Sequence, residues 1–130
     1  MSGARSVFAL ISSENTFQFG FPYAGAQRAT LTLRKHPRHG QDVIVSIERG
    51  QFLCSTSCDY LIRFDDGRAS AFTMRESESN DSTLLFVQNT GRFMDRMRGA
   101  KTVRIEGKFF QQAPVVFEFD VGGFDEEKFK

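Results

Sequence analysis

Two cysteines, Cys54 and Cys58, are the residues of this sequence whose chemistry is easiest to define. They enclose the tripeptide Ser-Thr-Ser within the stretch GQFLCSTSCDYLIRFDDG, residues 50–67. Thiols at this spacing could bind a metal, exchange disulfides or form a structural disulfide. The spacing is not the C-x-x-C of zinc ribbons and thioredoxin-like motifs, so neither of the first two functions has its usual signature here.

A zinc site would need two further ligands, and His36 and His39 are the two histidines of the chain. The resulting order, H-x-x-H before C-x-x-x-C, matches no standard structural spacing. A hairpin disulfide fits better, because residues facing each other across a three-residue loop lie about 4.5–5.5 Å apart between Cα atoms, which a disulfide can bridge. The sequence therefore favours a disulfide between Cys54 and Cys58, with two free thiols as the alternative.

A basic cluster in the stretch LTLRKHPRHGQD could bind an anion or an acidic partner. We assign four of its members to a candidate partner surface, namely Arg34, Lys35, His36 and Arg38. Because His36 and His39 stand among cations, they would resist protonation, so the cluster could also respond to pH. A solvated hairpin loop is the simpler interpretation, and the sequence favours it.

Asp65 and Asp66 could form a carboxylate pair for acid–base catalysis, or bind calcium. Acid–base chemistry requires one carboxyl group in an apolar environment, whereas a turn is normally hydrated. Calcium requires six or more oxygen ligands. Asp-Asp-Gly is a strong turn signal, and a turn is therefore the favoured explanation.

The basic segment RFMDRMRGAK, together with Arg104 and Lys108, could bind single-stranded nucleic acid. RRM and OB-type signatures are missing, however, and Asp95 and Glu106 interrupt the positive charge. The chain has 17 basic and 16 acidic residues, and its net charge of +1 provides no general attraction to nucleic acid or anionic membranes. We expect a solvated helix face here, no nucleic-acid partner, and no cofactor.

The elements that would position these residues are predicted to be strands almost throughout. Apolar and polar residues alternate, as is typical of half-buried strands, in TFQFGF, ATLTLRKH, DVIVSIER, DYLIRFDDG, KTVRIEGKFF and VVFEFDVGGF. Turn signals predict a hairpin at residues 58–75 and another across the last two of these segments. One segment changes to a helical period, which predicts a short α-helix at about residues 90–99.

We therefore expect a mainly β protein, an antiparallel β-sandwich with one short α-helix, and keep a partly open barrel as the alternative. The single domain is predicted at residues 16–124, between a flexible segment 1–15 and a frayed charged tail 125–130. The apolar run from Val7 to Ile11 is shorter than a typical secretory h-region. We expect no export signal in the sequence as given, and a mature form that has lost its signal remains compatible.

Residues 50–124 resemble a group of small exported bacterial proteins. They are similar to the C-terminal module of type VI secretion-associated VasI-like proteins and, more weakly, to invasion-associated protein B and its relatives. The shared features are Arg63 and Phe64 before Asp65-Asp66-Gly67, the segment FMDRMRGAK, and the closing FEFDVGGF. The resemblance implies a β-sandwich, a periplasmic or lipid-anchored envelope location and a disulfide between the two cysteines, and it brings no catalytic residues.

These observations predict an uncharacterised, non-catalytic module of the bacterial cell envelope, located in the periplasm or envelope if the chain is a mature form. It would bind a protein partner or aid secretion or envelope assembly. Membrane association is expected only through a lipid anchor outside this sequence. One alternative is a thiol-disulfide or metal-assisted enzyme that uses Cys54 and Cys58 and needs a thiol of low pKa. A third hypothesis is a weak nucleic-acid binder with salt-dependent affinity.

Overall fold

The computed structural model of the chain describes residues 7–23, 25–38 and 40–124. The strands and the helix in these ranges are β1 (Val7–Ser12), β2 (Thr30–His36), β3 (Gly40–Ser46), β4 (Ser57–Phe64), β5 (Ser70–Glu76), β6 (Leu84–Val87), α1 (Thr90–Met97), β7 (Thr102–Phe109) and β8 (Gln112–Asp120). The predicted mainly β class is confirmed, and α1 lies within the predicted helical segment.

These strands form one antiparallel sheet in the order β1-β2-β3-β6-β5-β4-β7-β8. The sheet nearly closes on itself, because Glu14, just after β1, donates its backbone N–H to the carbonyl of Glu118 in β8 at 2.7 Å. Asn15 adds a second link: its Nδ2 donates to the Val116 carbonyl and its Oδ1 accepts from the Glu118 N–H, both at 2.9 Å. The architecture is therefore sandwich-like or barrel-like, and a single continuous sheet surrounds the core.

The predicted hairpins are present in the sheet. β4 pairs with β5 from Ser57↔Arg75 to Ile62↔Ser70, and β7 pairs with β8 in the same antiparallel manner. The turn after β4 begins at Asp65, whose φ of 52° lies in the left-handed region. Aspartate is one of the few residues other than glycine that are enriched there, so the Asp-Asp-Gly signal corresponds to a real turn.

One apolar core fills the space that the sheet encloses. Its residues are the inward members of each alternating strand, such as Leu31 and Leu33 in β2, which are fully buried. Helix α1 adds Phe93, whose ring centroid lies 5.4 Å from that of Phe64 and 6.0 Å from that of Phe72. A helix of eight residues is marginal by itself, and packing of this aromatic group therefore holds it in place.

The segment TFQFGF differs from its prediction. Alternation predicts a strand with Phe17, Phe19 and Phe21 on one face, but the segment makes only an isolated bridge between Phe17 and Gln27. Phe17 and Phe19 are buried, whereas Phe21 is 97% exposed. The chain turns at Phe21 and Pro22, so the alternation ends at Phe19 and the prediction for Phe21 was wrong.

The N-terminal part of the chain also differs from its prediction where the structure describes it. Residues 7–12, expected to belong to a flexible segment, form β1 and pair with β2 from Val7↔Lys35 to Ser12↔Thr30. Val7, Ala9 and Ile11 pack partly buried against the core, and their period of two is the strand signal. The predicted start of the domain at residue 16 was therefore too late. Residues 1–6 and the predicted tail at 125–130 lie outside the described ranges.

Candidate functional site

Cys54 and Cys58 are joined by a disulfide, and their Cα atoms are 5.3 Å apart. The bridge closes the tight turn before β4, in which the Ser57 N–H donates to the Ser55 carbonyl at 2.7 Å. Thr56, at the tip of the turn, has a φ of 68°. A left-handed conformation is unusual for a β-branched residue. Three-residue hairpin loops favour glycine at the left-handed position, and in this loop Thr56 occupies that position instead.

Glu76, at the end of β5, holds the same turn from the neighbouring strand. Its Oε1 accepts from the Thr56 N–H at 2.7 Å, and its own N–H donates to the Thr56 carbonyl at 3.1 Å. The disulfide and Glu76 thus restrain Thr56 from two sides. No group of three or more potential metal-ligating side chains occurs within the described ranges. His39, considered above as a zinc ligand, is not in those ranges.

The basic cluster at the β2–β3 hairpin is partly neutralised. Arg34 faces Asp42 in the strand register and its Nε donates to the Asp42 carboxylate at 2.9 Å. The Nδ1 of His36 accepts from the backbone N–H of Arg38 at 3.0 Å. Lys35 is half-buried, whereas Arg38 is exposed. Arg38 is therefore the most accessible cation of the candidate partner surface.

Asp65 has a structural role that composition and spacing did not suggest. Its Oδ1 accepts from the backbone N–H groups of Lys101 at 2.8 Å and Thr102 at 3.0 Å, which ties the β4–β5 turn to the start of β7. The hydrogen bond from Lys101, followed by that from Thr102, lowers the pKa of Asp65 below its ordinary value. Asp66 makes no hydrogen bond within the described part of the chain, so the two carboxylates have different environments.

The arginines of α1 contribute to packing. The guanidinium carbon of Arg92 lies 4.1 Å from the centroid of the Phe72 ring, and its Nη1 donates to the Ala71 carbonyl at 3.0 Å. Arg96 donates to the Ser70 hydroxyl at 3.1 Å. Both side chains therefore fasten the helix to β5, where the sequence predicts a solvated face.

An exposed groove lies on the outer face of the sheet across β4, β7 and β8. Side chains alternate along each strand, so the neighbours of core residues point outward here. The groove has a volume of about 330 Å³ and is lined by Leu61, Ala69, Val116, Arg63, Arg104 and Glu106. We call it the outer groove.

Arg63 and Arg104 are direct cross-strand partners in the outer groove. Like charges in this arrangement repel each other unless other groups compensate them. Arg104 is compensated, since its Nε donates to Glu118 at 2.9 Å and its Nη1 to the Asp65 carbonyl at 3.3 Å. Arg63 is exposed, and its side chain makes no hydrogen bond or ion pair with any residue that the structure describes. Its guanidinium donors are therefore free to bind an anionic group.

Two apolar side chains line the outer groove together with Arg63. Leu61 is 46% exposed and Val116 is 48% exposed. Glu106, the register partner of Val116, is half-buried on the strand between them. Leu61 and Val116 stand at outward positions, where alternation predicts polar residues. Apolar residues at outward positions of two strands are the sequence signal that could have located the groove.

Comparison of the chain with protein-family models, curated proteins and solved structures found no match. The class of the protein therefore follows from its structure: a small, mainly β domain with a nearly closed sheet, a disulfide-closed turn and an amphipathic outer groove. The resemblance to VasI-like proteins stays a prediction. Within the described ranges, no helix is long and apolar enough to cross a membrane.

Proposed function

We propose that the protein is a non-catalytic module that binds a segment of another protein in the outer groove. The observation that carries this proposal is the unpaired Arg63, which lines the same groove as the exposed side chains of Leu61 and Val116. Arginine is enriched at protein interfaces and at the residues that dominate their binding energy. Its planar guanidinium group binds carboxylates through two parallel hydrogen bonds.

The expected partner segment combines a carboxylate for Arg63 with apolar side chains for Leu61 and Val116. Glu106 adds a restriction, since a uniformly acidic segment would place negative charge against its carboxylate. Such repulsion is a common source of specificity. The proposed partner is therefore a mixed segment in which an acidic residue stands beside apolar ones.

We place this function in the bacterial periplasm or cell envelope, in support of secretion or envelope assembly. Two lines support the location. The disulfide between Cys54 and Cys58 is of a kind that persists in oxidising compartments. The resemblance of residues 50–124 to VasI-like proteins points the same way. The basic hairpin surface, with Arg38 as its most accessible member, remains a second candidate contact.

Site-specific photo-crosslinking in the native cells tests the groove as the contact. A photoreactive amino acid in place of Leu61 is expected to yield a discrete adduct with one partner protein. The same group in place of Leu53, which is 47% exposed and does not line the groove, should not yield it. An adduct pattern that is the same at both positions would exclude the groove.

The partner identified in this way is then titrated against purified variants. Arg63→Glu should weaken binding at least about tenfold, which corresponds to about 1.4 kcal/mol, because it replaces the carboxylate-binding group by a repelling one. Arg28→Glu makes the same charge change at an exposed site outside the groove and should have little effect. If Arg38→Glu weakens binding and Arg63→Glu does not, the basic hairpin is the contact and the groove proposal is wrong.

A further inference from the structure

Among the strands that the structure describes, none pairs with the outer edge of β1, Val7–Ser12. The strand pairs with β2 on one side. On the other side it lies near β8, but the hydrogen bonds to β8 are made by Glu14 and Asn15, which follow the strand. Within the described ranges, the outward backbone N–H and C=O groups of β1 have no hydrogen-bond partner. An open edge of this kind is a template for pairing with another strand.

The residues of β1 provide none of the features that usually prevent such pairing. Natural edge strands are protected by charged side chains, above all lysine, by proline or by bulges. The strand VFALIS contains no charge and no proline. Its outer face is apolar, with Phe8 57% and Leu10 70% exposed. The other terminal strand, β8, differs, since Pro114 lies within it and Asn15 covers Glu118.

The sequence of β1 is complementary to itself in an antiparallel pair. When Ala9 of one copy faces Ala9 of another, Phe8 of each copy lies opposite Leu10 of the other on the outer face. Val7 then lies opposite Ile11 on the inner face. Each of the five positions from Val7 to Ile11 then pairs apolar with apolar around a two-fold axis. Because β1 is uncharged, two copies approach without electrostatic repulsion between the strands.

We propose that the protein forms a two-fold symmetric dimer in which the β1 strands of two copies pair edge to edge. The occupant of this edge is a second copy of the chain, because the same uncharged strand supplies both halves of a matched register. The outer groove is formed by β4, β7 and β8, so the dimer does not depend on the proposed function.

Sedimentation equilibrium of the purified protein, with its disulfide intact, tests the dimer. The average mass should rise reversibly with concentration from 14.7 kDa towards twice that value. Leu10→Lys places a lysine on the edge strand and should weaken association at least about tenfold. Leu53→Lys is the matched control, since Leu53 is also an exposed leucine, and should leave association unchanged. Circular dichroism verifies that both variants are folded.

The register is tested by mixing equal amounts of the Phe8→Cys and Leu10→Cys variants under mild oxidation. A two-fold axis at Ala9 predicts that the heterodimeric crosslink forms in preference to both homodimeric ones. A protein that stays monomeric up to about 1 mM would overturn the proposal, even if it bound a foreign extended peptide. Equal weakening by Leu10→Lys and Leu53→Lys would also overturn it, because the association would then not involve β1.

Discussion

Asp65 shows how a single carboxylate can define a corner of the fold. It takes the left-handed conformation at the end of β4 and accepts two backbone hydrogen bonds at the start of β7. These bonds favour the ionised form, so the pKa of Asp65 is lower in the folded protein than in the unfolded chain. The carboxylate therefore makes folding depend on pH.

We expect Asp65→Asn to destabilise the protein at pH 7 and to do so less at pH 3. A depressed pKa contributes stability above the unfolded value of about 3.9, and this contribution is lost as the pH falls through the folded pKa. Urea titrations at both pH values measure the free energy of unfolding. Asp66→Asn, beside it, is the matched control and should change little. An equal loss for Asp65→Asn at both pH values would contradict a role for the charge.

Individual site residues were predictable only where their partners are close in the sequence. The disulfide follows from the short spacing of Cys54 and Cys58. The free guanidinium group of Arg63 could not be predicted in this way. It depends on the pairing of β4 with β7, and on the hydrogen bond that Glu118 accepts from Arg104. Both are set by tertiary packing.

At the scale of elements, the disulfide-closed turn combines an unfavourable conformation with several restraints. The left-handed φ of Thr56 costs of the order of 1–3 kcal/mol. The bridge between Cys54 and Cys58 and the two hydrogen bonds to Glu76 offset this cost. The turn therefore depends on cross-links and on its neighbour β5 more than on its own sequence.

Replacing both cysteines by serine should lower the free energy of unfolding by about 2 kcal/mol, because the chain-entropy model assigns about that value to so short a loop. Urea unfolding measures the change. Reduction of the native protein should produce the same loss, and the reductant should not affect the Cys54→Ser/Cys58→Ser variant. A loss above about 4 kcal/mol would show that the bridge supports more than its own turn.

Elements with local signals were predicted well, and those shaped by distant contacts were not. Asp-Asp-Gly marks the β4–β5 hairpin, and Phe93 with its helical neighbours marks α1. The segment containing Phe17 and Phe19 alternates like a strand, yet their rings pack against Phe117 at 5.2 Å and Phe109 at 4.7 Å. These aromatic contacts hold the segment as an irregular loop, and nothing local in TFQFGF indicates it.

For the whole molecule, closure of the sheet rests on a small seam. Asn15 presents its amide to β8 much as a backbone group would, donating to Val116 and accepting from Glu118. Alternation and turn signals predicted the fold class but not the strand order. Between β3 and β7 the sheet order is β6-β5-β4, the reverse of the chain order. This reversal depends on the pairings of β3 with β6 and of β4 with β7, which are governed by burial in the final structure.

Asn15→Ala should lower the free energy of unfolding by about 1–2 kcal/mol, because it leaves the Val116 carbonyl and the Glu118 N–H without their partner. Amide exchange at Glu118 should become faster, while that at core positions such as Leu31 changes only with global stability. Gln18→Ala replaces an exposed residue. It is the control for the unfolding measurement and should leave the free energy of unfolding nearly unchanged. Unchanged exchange at Glu118 would show that the seam does not depend on Asn15.

The seam joins two segments that the ribosome synthesises at different times. Glu118 lies 103 residues after Asn15, so at a synthesis rate of about 5–20 residues per second the nascent chain waits about 5–20 s before the two can meet. During that interval β1 and β2 can already pair, because their pairing requires no residue beyond His36. The β1–β2 pair therefore forms long before the sheet can close, and closure has to wait for the synthesis of β8.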